Sequence, residues 1–162
     1  MPVSVMAEGA PGGDGWRELS KSECFGLLAR ERFGRVAVVD DSGPIIFPVN
    51  YAFDGHIVVF RTDEGSKLDA ACRLARVAFE IDGIDACART GWSVLVRGET
   101  AEVTDPGELR RLSRLPLVPM APGAKSRYVR VLPAVVSGRQ ILAPGQPAEP
   151  PFRGAPGEDD QA

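Results

Sequence analysis

The sequence is short of histidine, cysteine and long apolar runs, and each shortage removes a class of function. Its 162 residues include one histidine and three cysteines. That imidazole, His56, directly follows a turn signal and has no evident partners for a hydrolytic triad or a metal site. Cys24, Cys72 and Cys87 are odd in number, widely spaced and form no C-x-x-C pair, so neither a disulfide framework nor zinc binding is suggested. They read as reduced thiols of a cytoplasmic protein. No apolar stretch approaches the roughly 20 residues needed to cross a bilayer. The opening MPVSVMAEGAPGGDG lacks the basic start and continuous apolar segment of a secretory signal. A net charge of −3 argues against a nucleic-acid binder, which needs a basic face to displace counterions. Neither G-x-G-x-x-G nor G-x-x-x-x-G-K-[ST] occurs, and there is no G-x-S-x-G nucleophile elbow.

What is present divides the chain into three. Residues 1–15 and 143–162 are rich in Gly, Pro and Ala, the second ending in an acidic cluster, and both read as disordered tails. Residues 16–142 read as one domain. Ser20 and Glu23 form a capping box that opens a short helix through Cys24, Leu27 and Leu28, with Gly34 as its end. Strands are expected at 35–39, 45–53, 56–61, 77–81, 92–103 and 128–136, the fourth ended by Asp82-Gly83. Asp54-Gly55 is a two-residue hairpin signal. Pro48 implies a bulge, an edge or an interrupted ladder, Gly98 a bulge or a close backbone approach, and Pro133 an interruption. A second helix is expected around 65–72, and a third after Asp105-Pro106, an Asp cap followed by Pro in the first turn. Six strands without regular βαβ alternation predict a mainly β (α+β) fold, an antiparallel sheet closed into a barrel with short flanking helices.

Three groups of residues have chemistry to offer. Arg61 and Thr62 end a strand, and Ser66 and Lys67 open the next helix, so two cations and two hydroxyls lie within a few residues. Either this is an anion site, which explains a lysine in the first turn of a helix, or it is an exposed turn with Asp63 and Glu64 answering the dipole. Pro48-Val49-Asn50-Tyr51 places poor β-formers in an apolar strand; the strand either presents backbone and amide groups to a flat heterocycle or bulges at a barrel corner. Trp92 and Ser93 are cofactor wall or core. The carboxylates of Asp82 and Asp85 sit in a polar segment and read as turn residues before they read as an acid/base pair.

In order along the chain, Phe47-Pro48-Val49-Asn50-Tyr51, Phe60-Arg61-Thr62, Gly65-Ser66-Lys67-Leu68, Val77-Ala78-Phe79-Glu80 and Gly91-Trp92-Ser93-Val94-Leu95-Val96-Arg97-Gly98 resemble the pyridoxamine-phosphate-oxidase-like flavin proteins, most closely the nitroimidazole-resistance-type subgroup. The resemblance spans residues 19–141. It implies a six-stranded split barrel that forms a homodimer with FMN at the subunit interface. It also implies that Arg61, Thr62, Ser66 and Lys67 contact the phosphate and ribityl chain, and that residues 48–51 run beside the isoalloxazine. Trp92 and Ser93 would then lie near the cofactor, from the same or the partner subunit. The implied activity is flavin-dependent oxidoreduction of a small molecule, or a non-catalytic carrier or sensor role with the same fold. Relatives also use a deazaflavin or haem. The segment Val135 to Ile141 has Arg139 but no histidine, a departure from the substrate site of true pyridoxamine-phosphate oxidases.

Overall fold

The computed structural model describes residues 15–41, 43–73, 76–117 and 125–145. Apart from Gly15 and residues 143–145, the expected tails lie outside the described residues. In chain order the elements are β1 (Trp16–Glu18), α1 (Lys21–Arg30), β2 (Phe33–Asp40), β3 (Gly43–Phe53), β4 (Val58–Thr62), α2 (Lys67–Ala71), β5 (Arg76–Asp85), β6 (Thr90–Glu102), α3 (Pro106–Leu112) and β7 (Arg127–Ile141). All strand pairings are antiparallel, in the order β1-β7-β4-β3-β2-β5-β6 with β6 returning to β7. Strands β2 to β7 thus close a six-membered ring. The three-residue β1, which carries no strand signal of its own, extends the count to seven by pairing with the end of β7.

Alternation along the strands builds the core. Val36, Val38, Tyr51, Phe60, Phe79, Ile81, Val94 and Val96 point into the barrel and are almost fully buried; each such side chain contributes about 1.5–3 kcal/mol by leaving water. The opposite face of β3, β4 and β7 holds a second cluster, Ala52 and Val59 with Val103, Leu112 and Leu117, under α3. The expected caps form: Ser20 Oγ accepts from the Glu23 amide while Glu23 accepts from the Ser20 amide, and Asp105 accepts from the Glu108 amide at 2.7 Å. Helix α2 is tied to β6 where Thr100 Oγ1 donates to the Cys72 carbonyl at 2.7 Å. Among the described residues, no helix is long and apolar enough to cross a membrane.

Several expected boundaries shift, for physical reasons. Gly34 does not end α1, which stops at Arg30; it lies in β2, where a Cβ would stand 2.5 Å from the Phe79 ring. The Asp54-Gly55 turn is not a two-residue hairpin. Asp54 accepts from the amides of His56 and Ile57, which holds a longer loop and delays β4 to Val58. Asp82-Gly83 does not end β5, because Gly83 lies under the Trp92 indole and the ladder runs on to Asp85. Pro48 pairs with Arg35 on β2, whereas β3 meets β4 only from Tyr51 onward, so its missing N–H falls on an interrupted ladder. Gly98 and Pro133 share one irregularity: the β6–β7 register shifts between Arg97 and Gly98, and Gly98 faces Pro133.

Two predictions follow from this packing. A Cβ at Gly98 would lie 2.0 Å from the Leu132 carbonyl oxygen, a backbone contact that cannot move aside. Gly98→Ala is expected to lower unfolding stability by about 2 kcal/mol or more, measured by denaturant titration; a parent-like midpoint would refute the close approach. The hydrogen bonds from Arg17 hold the Glu23 carboxyl at about 2, below its ordinary 4.5. A depressed carboxylate contributes stability above its unfolded pKa and loses it as pH falls through the folded one. Stability should therefore fall between about pH 4.5 and 2 less steeply in Glu23→Gln than in the parent, and melting curves across that range test it.

Candidate anion and cofactor site

The turn between β4 and α2 brings Arg61, Thr62, Ser66 and Lys67 together. Gly65 takes a φ of +71°, open to glycine at little cost, and this reverses the chain after Asp63 and Glu64. Ser66 caps α2: its amide donates to the Asp63 carbonyl at 3.2 Å and its Oγ accepts from the Asp69 amide at 3.0 Å. Thr62, buried on the inner face with Phe60, shares a 2.8 Å hydrogen bond with Ser66 Oγ. Lys67 is exposed at the first helical position. Helix α2 has only five residues, so the positive character of the turn comes from its side chains more than from a macrodipole.

The start of β7 completes this corner. Register pairs Arg61 with Tyr128 and Thr62 with Arg127. Arg61 Nε donates to the Lys125 carbonyl at 2.6 Å, and its guanidinium sits 5.1 Å from the centre of the Tyr128 ring. Asp63 accepts from both the Lys125 ammonium at 2.7 Å and the Lys125 amide at 2.6 Å; those bonds hold its carboxyl below the ordinary range. Asp63 is thereby spent on Lys125, so the reading in which it answers the α2 dipole does not describe it. Asp69, almost fully buried, accepts from the Gly65 amide, Arg73 and Arg127. Burial alone would raise its carboxyl, but these donors outweigh burial and lower it. Sequence reasoning missed Asp69, Glu102, Lys125, Arg127 and Tyr128; the only trace of the last three was a basic start to the final strand.

The other expected residues divide by face and by distance. Val49 and Tyr51 turn inward. Tyr51 donates its hydroxyl to the Leu28 carbonyl at 2.9 Å and meets Phe79 edge-on at 4.8 Å, so its ring is committed to the core. Pro48 and Asn50 face outward; Asn50 pairs with Phe33 and lies just beyond the last β3–β4 pair, Tyr51–Phe60. Trp92 and Ser93 begin β6, opposite Gln140 and Arg139. They pair near the end of β7, whereas Arg61 pairs with Tyr128 at its start, so about a dozen residues of β7, up to roughly 40 Å at about 3.3 Å each, lie between them. One chain therefore places Arg61, Thr62, Ser66 and Lys67 within one turn, with Thr62 bonded to Ser66, and leaves Trp92 and Ser93 apart. Arg30 stacks 5.7 Å above the Trp92 ring, and the two border an open cavity of about 370 Å³ with Glu31, Asp82 and Gln140. Within it, Asp82 is paired with Arg35 and Asp85 accepts the Cys87 and Ala88 amides, so both carboxylates have structural partners. His56 is exposed beside the Asp54 loop.

Comparison with known proteins agrees with this architecture. The family described as pyridoxamine 5'-phosphate oxidase matches residues 20–140. An uncharacterised protein of Mycobacterium tuberculosis is 37% identical over 131 residues, 78% of this chain and 86% of that protein. The solved FAD-binding protein of Mycobacterium smegmatis is 38% identical, covers 76% of this chain and 97% of its own, and superposes with a TM-score of 0.68. A FAD-binding protein of Mesorhizobium loti is 25% identical, with 77% and 96% coverage and a TM-score of 0.62. A closed six-stranded ring with short helices and a family match over most of the described residues lead to one assignment: the chain belongs to the pyridoxamine 5'-phosphate oxidase-like split-barrel family.

Proposed function

We propose that this protein binds a flavin nucleotide, FMN or FAD, as a homodimer, and uses it for oxidoreduction of a small molecule in the cytoplasm. The observation that carries the reading is the β4–α2 corner, where Thr62 bonds Ser66, Arg61 is held by the neighbouring start of β7 and Lys67 is exposed at the start of α2. A cation held in place, a second at the rim and two hydroxyls suit a phosphate, since charged donors form its strongest hydrogen bonds. The likeness to proteins named as FAD-binding supports a flavin as the molecule that carries that phosphate. When bound, the flavin supplies the electron-carrying chemistry, and the protein contributes orientation, charge and exclusion of water. Arg61 is held in place by the Lys125 carbonyl and the Tyr128 ring, so it is preorganised for an anion. Lys67 is exposed and adds its charge from the rim.

The dimer has its own support. Trp92 and Ser93 can reach the same flavin as Arg61 only if a second copy presents them. The outer face of β2 and β3 also leaves Val39 at 77% and Ile46 at 63% exposed, next to Ala37 and Pro44, an apolar patch with nothing over it among the described residues.

The purified protein should carry flavin absorbance, and chromatography of the released cofactor separates FMN from FAD. Arg61→Ala and Lys67→Ala should each weaken FMN binding about tenfold or more, the worth of one charge-assisted hydrogen bond; unchanged affinity in both would remove the phosphate site. Ile46→Asp should yield monomers by light scattering and release flavin in the same variant. A dimer that persists with flavin bound would place the interface elsewhere.

A further inference from the structure

We propose that Asp69, held by the Arg127–Glu102 pair, is the positioning residue that fixes the 62–67 turn for a phosphate-bearing ligand; this rests on the flavin-nucleotide reading above. Asp69 has only 5% of its surface exposed, yet it is an acid beside a turn that must attract an anion. Three donors converge on its Oδ2: the Gly65 amide at 3.0 Å, Arg73 Nη2 at 3.1 Å and Arg127 Nη1 at 3.3 Å. Its charge is thus answered inside the protein.

Arg127 is itself immobilised. Its Nε and Nη2 fork onto the two oxygens of Glu102 at 2.8 and 2.7 Å, a bidentate pairing that fixes the guanidinium plane. The backbone of Arg127 pairs with Thr62 across β7 and β4, and Glu102 ends β6. A single chain of contacts therefore runs from β6 through β7 to α2.

The far end of that chain is the turn. Through its carboxylate Asp69 holds the amide of Gly65, the residue with the left-handed φ; through its own amide it holds Ser66 Oγ, which in turn bonds Thr62. Asp69 sets the shape of the turn without facing a ligand.

Charge and shape make opposite predictions here, which is what allows a test. Asp69→Asn removes a negative charge near the turn. If electrostatics alone governed the site, FMN would bind more tightly. If Asp69 acts by positioning, FMN binding weakens about tenfold, as expected when one charged hydrogen-bond network is released, while riboflavin, which has no phosphate, changes by less than about twofold on the same scale. Fluorescence titration of flavin-free parent, Asp69→Asn and Glu102→Gln with both ligands provides the comparison. Glu102→Gln loosens Arg127 from an exposed position and should shift FMN in the same direction, so the test survives if Asp69→Asn does not fold. Tighter FMN binding, parent-like discrimination between the two flavins in both variants, or an equal loss for both flavins would overturn the positioning role. A parent that binds FMN no more tightly than riboflavin would instead overturn the phosphate reading itself, and the positioning role with it.

Discussion

The barrel depends on the pairing of β7 along both of its edges. Its first five residues bond β4 on one side, the residues from Val129 onward bond β6 on the other, and its far end carries β1. Without that double ladder the sheet would be an open meander with two exposed edges, and its inward valines would face water. The same pairing builds the candidate site. Arg61 and Thr62 lie over sixty residues before Tyr128 and Arg127, and only the β4–β7 ladder sets them side by side. The Gly98–Pro133 irregularity lets one strand serve both jobs, because a bulge adds the local bend that a long strand needs to stay in register on each side.

The two ends of the barrel are stabilised in different ways. Near α1 the groups are mostly apolar: Cys24 packs against Gly138, and the buried hydroxyl of Tyr51 is satisfied by a helix carbonyl. Burial raises the thiol of Cys24 to about 11 and that of Cys72 to about 12, so neither is a nucleophile near neutral pH. Around α2 and the start of β7 the groups are ionic. Asp63 with Lys125, and Asp69 with Arg73, Arg127 and Glu102, pair charge with charge at close range. A carboxylate left alone at such a position would be costly. Beside these compensated pairs, Lys67 stands exposed at the first position of α2.

Much of the fold was legible from the sequence because it rests on local rules. The capping box at Ser20 and Glu23, the Asp105 cap and the alternation of β-branched residues each depend on neighbours a few positions away. The six-stranded ring followed from counting strands that show no βαβ alternation. What misled the reading was glycine, whose meaning depends on what approaches it: Gly34 and Gly83 looked like punctuation but make room for the Phe79 and Trp92 rings. In the candidate site the Thr62–Ser66 contact was legible because its members lie close in sequence. Its supporting residues were not, because Asp69 to Arg127 and Asp63 to Lys125 are contacts across about sixty positions that no local pattern announces. Tyr51 misled for a similar reason, since its strand position was right but its inward face followed from a register set by β2 and β4.

The bond between Thr62 and Ser66 has a consequence best stated as proton accounting. Two hydroxyls hold two protons, and the bond between them consumes one. Ser66 Oγ already accepts from the Asp69 amide. If Thr62 donates, the Ser66 proton is left over; if Ser66 donates, the leftover proton is on Thr62, with only the 3.4 Å Asp63 carbonyl to take it. The spare proton always sits on whichever oxygen accepts. The pair can therefore offer a donor from either of two points 2.8 Å apart by reversing one shared bond, with no movement of the chain.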